Sequence, residues 1–139
     1  METTLTLDHQ AIIRVTFNQL MPISNTFVHL FYNRLFELKP AVKPLFNSNI
    51  DEQGPKLIAM LAVLVKGLSN LESLTPAIQD LGRRHVAYGV KAEDYDVVGQ
   101  ALLWAMEQML KEAFTPEVKD AWATLYTRLA GICIRAAYS

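Results

Sequence analysis

The chain has 139 residues, is 51% hydrophobic and 19% charged with a formal net charge of −1, and contains six glycines and six prolines. That length suits one domain with a sizeable core, and the composition excludes disorder and low-complexity sequence. No overall basic field exists to attract nucleic acid or anionic lipid, and Arg83–Arg84 is the only adjacent basic pair.

Every long segment has helical periodicity and none alternates as a strand would. A first helix is expected from Thr6 or Asp8, either of which can cap it, to Leu20, with Ile13, Phe17 and Leu20 inward. Pro22 breaks the chain, and a second helix turns Phe27, Leu30, Phe31 and Leu38 inward. Pro40 and Pro44 bracket a short, tight turn of helix ending at Leu45–Phe46. Asn47 to Gly54 is polar and turn-forming, so the next helix is expected to open at Pro55, whose missing N–H costs nothing in a first turn. Leu57, Ile58, Leu61, Leu64, Val65 and Leu68 form its apolar stripe.

Thr75–Pro76 signals another start, for a helix ending between Arg84 and Tyr88, and Gly89 suits the left-handed position that follows a helix. Two long helices complete the chain. One covers Ala92 to Lys111, with Val98, Ala101, Leu102, Ala105 and Met109 on one face. The other opens at Thr115–Pro116–Glu117 and turns Ala121, Trp122, Leu125, Leu129, Ile132 and Cys133 inward. With no internal repeat and no linker, the pattern predicts an all-α single domain over residues 1–139, with about seven helices.

Cys133 is the only cysteine, so neither an intramolecular disulfide nor a cysteine-based zinc site is available, and its apolar surroundings predict a buried, inert thiol. The N-terminus has no basic segment followed by an apolar core, and the longest apolar run, Leu57 to Val65, is far short of the roughly 20 residues of a membrane span. A cytoplasmic protein without a membrane partner is expected. No HExxH or GxSxG pattern anchors hydrolytic chemistry. His9 is expected in a first turn facing solvent, and His29 on the second helix as a packing or surface residue. His85, in a last turn beside Arg83 and Arg84, reads either as a surface cation at a helix C-terminus or as a ligand.

The markers Leu30-Phe31-Tyr32-Asn33-Arg34-Leu35-Phe36, Pro40 with Leu45–Phe46, Gln53 leading into Leu57, and Leu81-Gly82-Arg83-Arg84-His85 occur in that order. Tyr88-Gly89-Val90, Tyr95 with Val98–Gly99, Ala121–Trp122 and Tyr126 follow. Together, over essentially the whole chain, they resemble the globin family, specifically bacterial single-domain haemoglobins and the haem domain of flavohaemoglobins. The resemblance implies a globin fold with a short or absent D helix, and haem b held through His85 as the axial iron ligand. It implies that the other ring nitrogen of His85 donates to a carbonyl one turn earlier, such as that of Leu81. Phe46 would stack on the haem, with Val90, Tyr95 and Val98 lining it and Lys56 and Arg84 near its propionates or in solvent.

On the distal side the resemblance implies hydrogen-bond donors in Tyr32 and Gln53, with Leu57 as an apolar lid. Gln53 would sit at a loosely held helix start, and a shift of one residue would put Gly54 in its place. The implied function is reversible binding of O2, NO and CO at five-coordinate ferrous iron, for oxygen storage or delivery. With an external reductase it extends to nitric oxide detoxification. The alternative is a gas-sensing or stress-signalling globin acting through a protein partner. A monomer or weak homodimer is expected. Two departures stand out. No flavin or nicotinamide domain is expected beyond residue 139, so electrons would come from elsewhere. The stretch Ile134-Arg135-Ala136-Ala137-Tyr138 also lacks the carboxylate that flavohaemoglobins set behind the proximal histidine, which implies binding rather than peroxide cleavage.

Overall fold

A computed structural model describes residues 5–45, 50–87 and 89–138. Its six α-helices are α1 (Leu7–Leu20), α2 (Ser24–Leu38), α3 (Ile50–Lys66), α4 (Thr75–Ala87), α5 (Asp94–Leu110) and α6 (Pro116–Tyr138). Short 3₁₀ segments at Met21–Ile23, Pro40–Leu45, Leu68–Leu74 and Lys111–Ala113 join them, and no strand occurs among the described residues. The seven helices expected are these six and the tight turn at Pro40–Leu45. The stretch where a D helix would lie, 46–49, is outside the described residues, as is Phe46.

Local chemistry accounts for the ends. The Thr6 hydroxyl accepts from the His9 amide, while the His9 ring accepts from the Thr6 amide, a reciprocal box that opens α1. Helix α4 ends where Gly89 takes a φ of 96°, a value that favours glycine. Two boundaries differ from expectation. Helix α3 opens at Ile50, so Pro55 lies inside it. Asp51 and Glu52 in the first turn favour that start, and Asp51 and Pro55 are both exposed, so water can replace the missing amide. Gln53 is therefore the fourth residue of that helix. Leu38, expected inward, is 39% exposed because it is the last residue of α2, and the backbone leaves the helical region at Lys39.

Helix α2 packs on α5, α1 on α6, and α4 along α6, while α3 rests on α2. The core between them holds Ile13, Leu20, Phe27, Leu35, Met106, Trp122 and Cys133, all fully enclosed. Met106, one residue past the expected stripe of α5, is among them. Burying the Trp122 indole requires an acceptor for its N–H. It donates to the Thr16 hydroxyl at 2.8 Å, which in turn donates to the Ile12 carbonyl at 2.8 Å. Among the described residues no single helix is long and apolar enough to cross a membrane.

Candidate functional site

Close helix contact sets the position of His85. A Cβ on Gly82 would stand 2.6 Å from the Cys133 carbonyl oxygen, so α4 rests backbone to backbone on α6 three residues before the histidine. His85 is half-buried in the last turn of α4, and its Nδ1 donates to the Leu81 carbonyl at 2.7 Å, the bond expected. A carbonyl can only accept, so Nδ1 carries the proton. In the neutral ring the lone pair then lies on Nε2, the nitrogen a metal would take. The chain turns at once: the Gly89 amide donates to Val86 and the Val90 amide to His85, each at 3.0 Å. Tyr88 lies outside the described residues.

The start of α5 faces this turn. The Tyr95 ring lies 6.4 Å from the His85 ring at an interplanar angle of 34°. Tyr126 donates to the Tyr95 carbonyl at 2.5 Å, and Gly99 leaves room for the Tyr126 ring, which an added Cβ would meet at 2.7 Å. Burial pushes the Tyr95 and Tyr126 hydroxyls far up in pKa, so both remain protonated donors. The Tyr95 hydroxyl is enclosed beside the Cys133 thiol without a hydrogen bond of normal length among the described residues. Cys133 is buried and points its thiol at the Ile78 carbonyl, 3.5 Å away, as its apolar surroundings predicted. The Tyr138 hydroxyl donates to the Val90 carbonyl and ties the end of α6 to the turn.

The distal-side candidates lie on α2 and α3. A Cβ on Gly54 would stand 2.8 Å from Val28 Cγ2, which makes this pair the crossing point of the two helices. Tyr32 lies one turn past Val28 on α2, and Gln53 and Leu57 lie one residue before and three after Gly54 on α3. Tyr32 is 5% exposed, with Phe31 edge-on at 4.8 Å and Phe36 at 6.2 Å, and burial pushes its phenol up to about 12. Gly54 is buried against Val28, on the side of α3 that faces α2.

Other candidates are placed differently. Lys56 is exposed, and Arg84 pairs on the surface with Asp80 at 3.1 Å. His9 pairs with Asp120 at 2.9 Å, while His29 bonds the Asn25 carbonyl at 2.8 Å and lies 3.2 Å from Asp51. Among the described residues no three His, Cys, Asp or Glu side chains gather as a metal cage.

The implied haem fits these residues. Leu57, Leu81, Val90, Tyr95 and Val98 are all half-buried, an apolar set on the flanking elements that the protein core does not itself enclose. His85 supplies an imidazole in the tautomer that a ligand requires.

Sequence reasoning missed a polar pair that joins the end of α2 to the start of α5. Lys39 donates to both carboxylates at the start of α5, Asp94 and, at 3.4 Å, Glu93. Asp94 is 4% exposed, and nothing in its sequence context signals burial beyond the usual preference for acid in a first turn. Arg34, stacked 5.0 Å over Trp104, was likewise unforeseen.

Comparisons with known proteins agree with this architecture. A family model described as Globin matches residues 29–133. Flavohemoproteins of Vibrio cholerae and Rhizobium meliloti are each 31% identical, over 94% and 92% of this chain respectively. The chain spans about a third of their length, 34% and 32%. A bacterial globin from Campylobacter jejuni superposes with a TM-score of 0.81 at 28% identity, covering 94% of this chain and 95% of that one. An engineered carbene transferase from Rhodothermus marinus, built on a provisionally assigned nitric oxide dioxygenase, superposes with a TM-score of 0.81 at 26% identity, covering 92% and 89%. The helix order, the pairwise helix packing and the matched residues together make this chain a member of the globin family.

Proposed function

We propose that the chain holds haem b through His85 and reversibly binds O2, NO and CO on the face lined by Tyr32, Gln53 and Leu57. When bound, the haem would supply a ferrous iron able to take up a diatomic gas. The observation that carries the reading is the 2.7 Å bond from His85 Nδ1 to the Leu81 carbonyl, which fixes the ring and puts its proton on Nδ1, the tautomer in which Nε2 is the ligating nitrogen. Tyr32 keeps its proton up to about pH 12 and so offers an O–H donor throughout the physiological range. Gln53, half-buried in α3, offers an amide donor, and Leu57 excludes water beside it.

Reconstitution with haemin tests this directly. The reduced protein should give a five-coordinate spectrum that shifts on adding CO. His85→Gly should lose that spectrum and regain it with added imidazole. A chain that takes up no haem, or a His85→Gly variant indistinguishable from wild type, would overturn the assignment.

The reading extends to nitric oxide removal in the cytoplasm, with electrons from a separate reductase. It is supported by relatives named flavohemoprotein and by the provisional assignment of the Rhodothermus marinus parent. Consumption of nitric oxide in the presence of O2 and an NAD(P)H-driven reductase is the expected result. No turnover under those conditions would confine the protein to binding and delivery.

A further inference from the structure

Two segments that flank the haem site are not adjacent in sequence and lie at opposite ends of α2 and α5. One is Pro40–Leu45, which follows α2; the other is the turn from Gly89 into α5, which carries Val90 and Tyr95. The side-chain pair described above joins them. Lys39 is fixed from both sides: its amide donates to Leu35 at 2.9 Å, and its carbonyl accepts from Val42 at 3.1 Å. Its ammonium therefore projects from a rigid junction rather than from a loop. Asp94 is fixed as well. Its amide donates to the Lys91 carbonyl at 3.0 Å while its Oδ2 accepts from the Lys91 amide at 2.8 Å, closing a ring around the turn after His85. The remaining oxygen, Oδ1, is the one that Lys39 takes.

Asp94 is the buried carboxylate among the described residues, and a charge in that setting is tolerated only when paired and hydrogen-bonded. Buried ion pairs add little net stability compared with apolar packing, but they impose a defined geometry. We propose that Lys39 and Asp94 form a latch that sets the separation between the Pro40–Leu45 segment and the proximal turn, making both residues positioning residues for the haem. The proposal rests on the haem assignment made above.

The test uses the haem-loaded chain with Lys39→Met, Asp94→Asn, the two combined, and Lys39→Arg. Haem transfer to excess apomyoglobin should be roughly 10-fold faster in each of the first two, the scale of effect seen when partners behind a metal ligand are removed. The double variant should be no faster than the worse single one, because both break the same contact. Lys39→Arg should restore the wild-type rate. In the haem-free chain, amide exchange at Lys91 and Tyr95 should speed up in Lys39→Met while that of α1 and α6 stays unchanged.

Transfer rates equal to wild type in both single variants, effects that multiply in the double variant, or exchange that rises evenly across the molecule would each overturn the latch. The haem assignment would stand in all three cases. Wild-type protein that never takes up haem is the separate result that removes the assignment itself.

Discussion

Gly82→Ala puts the contact between α4 and α6 to a direct test. The new methyl carbon would stand 2.6 Å from the Cys133 carbonyl oxygen and 2.7 Å from its Cα. Relief to ordinary contact needs the helices to part by roughly 1 Å. The obstacle is backbone in the 23-residue helix α6, so no rotamer change relieves it. Overpacking of this kind costs about 1–3 kcal/mol, and a rigid obstacle belongs at the upper end. Replacing glycine in a helix interior returns about 1 kcal/mol. The balance is a loss of about 2 kcal/mol, which for a domain of this size lowers Tm by roughly 5–8 °C.

Gly131→Ala is the matched control. It lies within the same α6, but its new Cβ would meet only the tip of the Arg135 side chain at 3.3 Å, which can swing aside. Only the propensity gain should remain, about 0.5–1 kcal/mol of added stability. Thermal unfolding of the haem-free protein, followed by far-UV circular dichroism, separates the two. Gly82→Ala at or above the wild-type Tm would refute the argument, as would equal losses in both variants.

Tyr32→Phe should speed oxygen release by about one to two decades, given roughly 1–3 kcal/mol for a hydrogen bond to a partly charged acceptor. Stopped-flow displacement by CO measures this, and an unchanged rate removes Tyr32 from the proposed mechanism. Thr16→Val should lower stability by about 1–3 kcal/mol because it strands the Trp122 N–H inside the core. Urea titration would show that cost largely absent when the same change is made in a Trp122→Phe background. Burial raises the pKa of Asp94, but the Lys39 bond and the Lys91 amide outweigh it and leave the carboxyl below its ordinary value. The bond from Asp94 holds Lys39 above its own ordinary value. The stability contributed by Asp94 is thus present above the ordinary carboxylate pKa and fades as pH falls through the lowered one, while that of Lys39 fades only as pH rises through its raised one. The gap in urea midpoint between wild type and Asp94→Asn should hold steady from pH 6 to 9 and close below about pH 4. A gap of the same size at pH 2 would contradict the pairing.

The apolar stripes and the punctuation by proline and glycine made most of the fold legible in the sequence. Thr6, Thr75–Pro76, Gly89 and Thr115–Pro116 mark ends within a residue or two of those observed. The start of α3 was misread because Gly54–Pro55 is a strong local breaker, and only the packing of Gly54 on Val28 shows why a glycine belongs inside that helix. His85 could be singled out only with the help of its resemblance, since a last-turn histidine beside two arginines has an ordinary electrostatic explanation. The Lys39–Asp94 pair was invisible because its members are 55 residues apart and each has a conventional surface role at a helix end.

The same helix crossing settles how α3 presents its side chains. Successive residues of an α-helix turn by about 100°. Measured from Gly54, which faces Val28, Gln53 lies about 100° to one side and Leu57 about 60° to that same side. Pro55 and Lys56 turn about 100° and 200° the other way, and both are exposed while Gln53 and Leu57 are half-buried. A glycine spent on close helix approach cannot also face a pocket. Placing it at the crossing therefore assigns Gln53 and Leu57 to one face and Lys56 to solvent. A larger residue at 54 would disturb that assignment by lifting α3 off α2, without touching the pocket itself. The side chains of the proposed gas site thus depend on a residue that contributes no side chain at all.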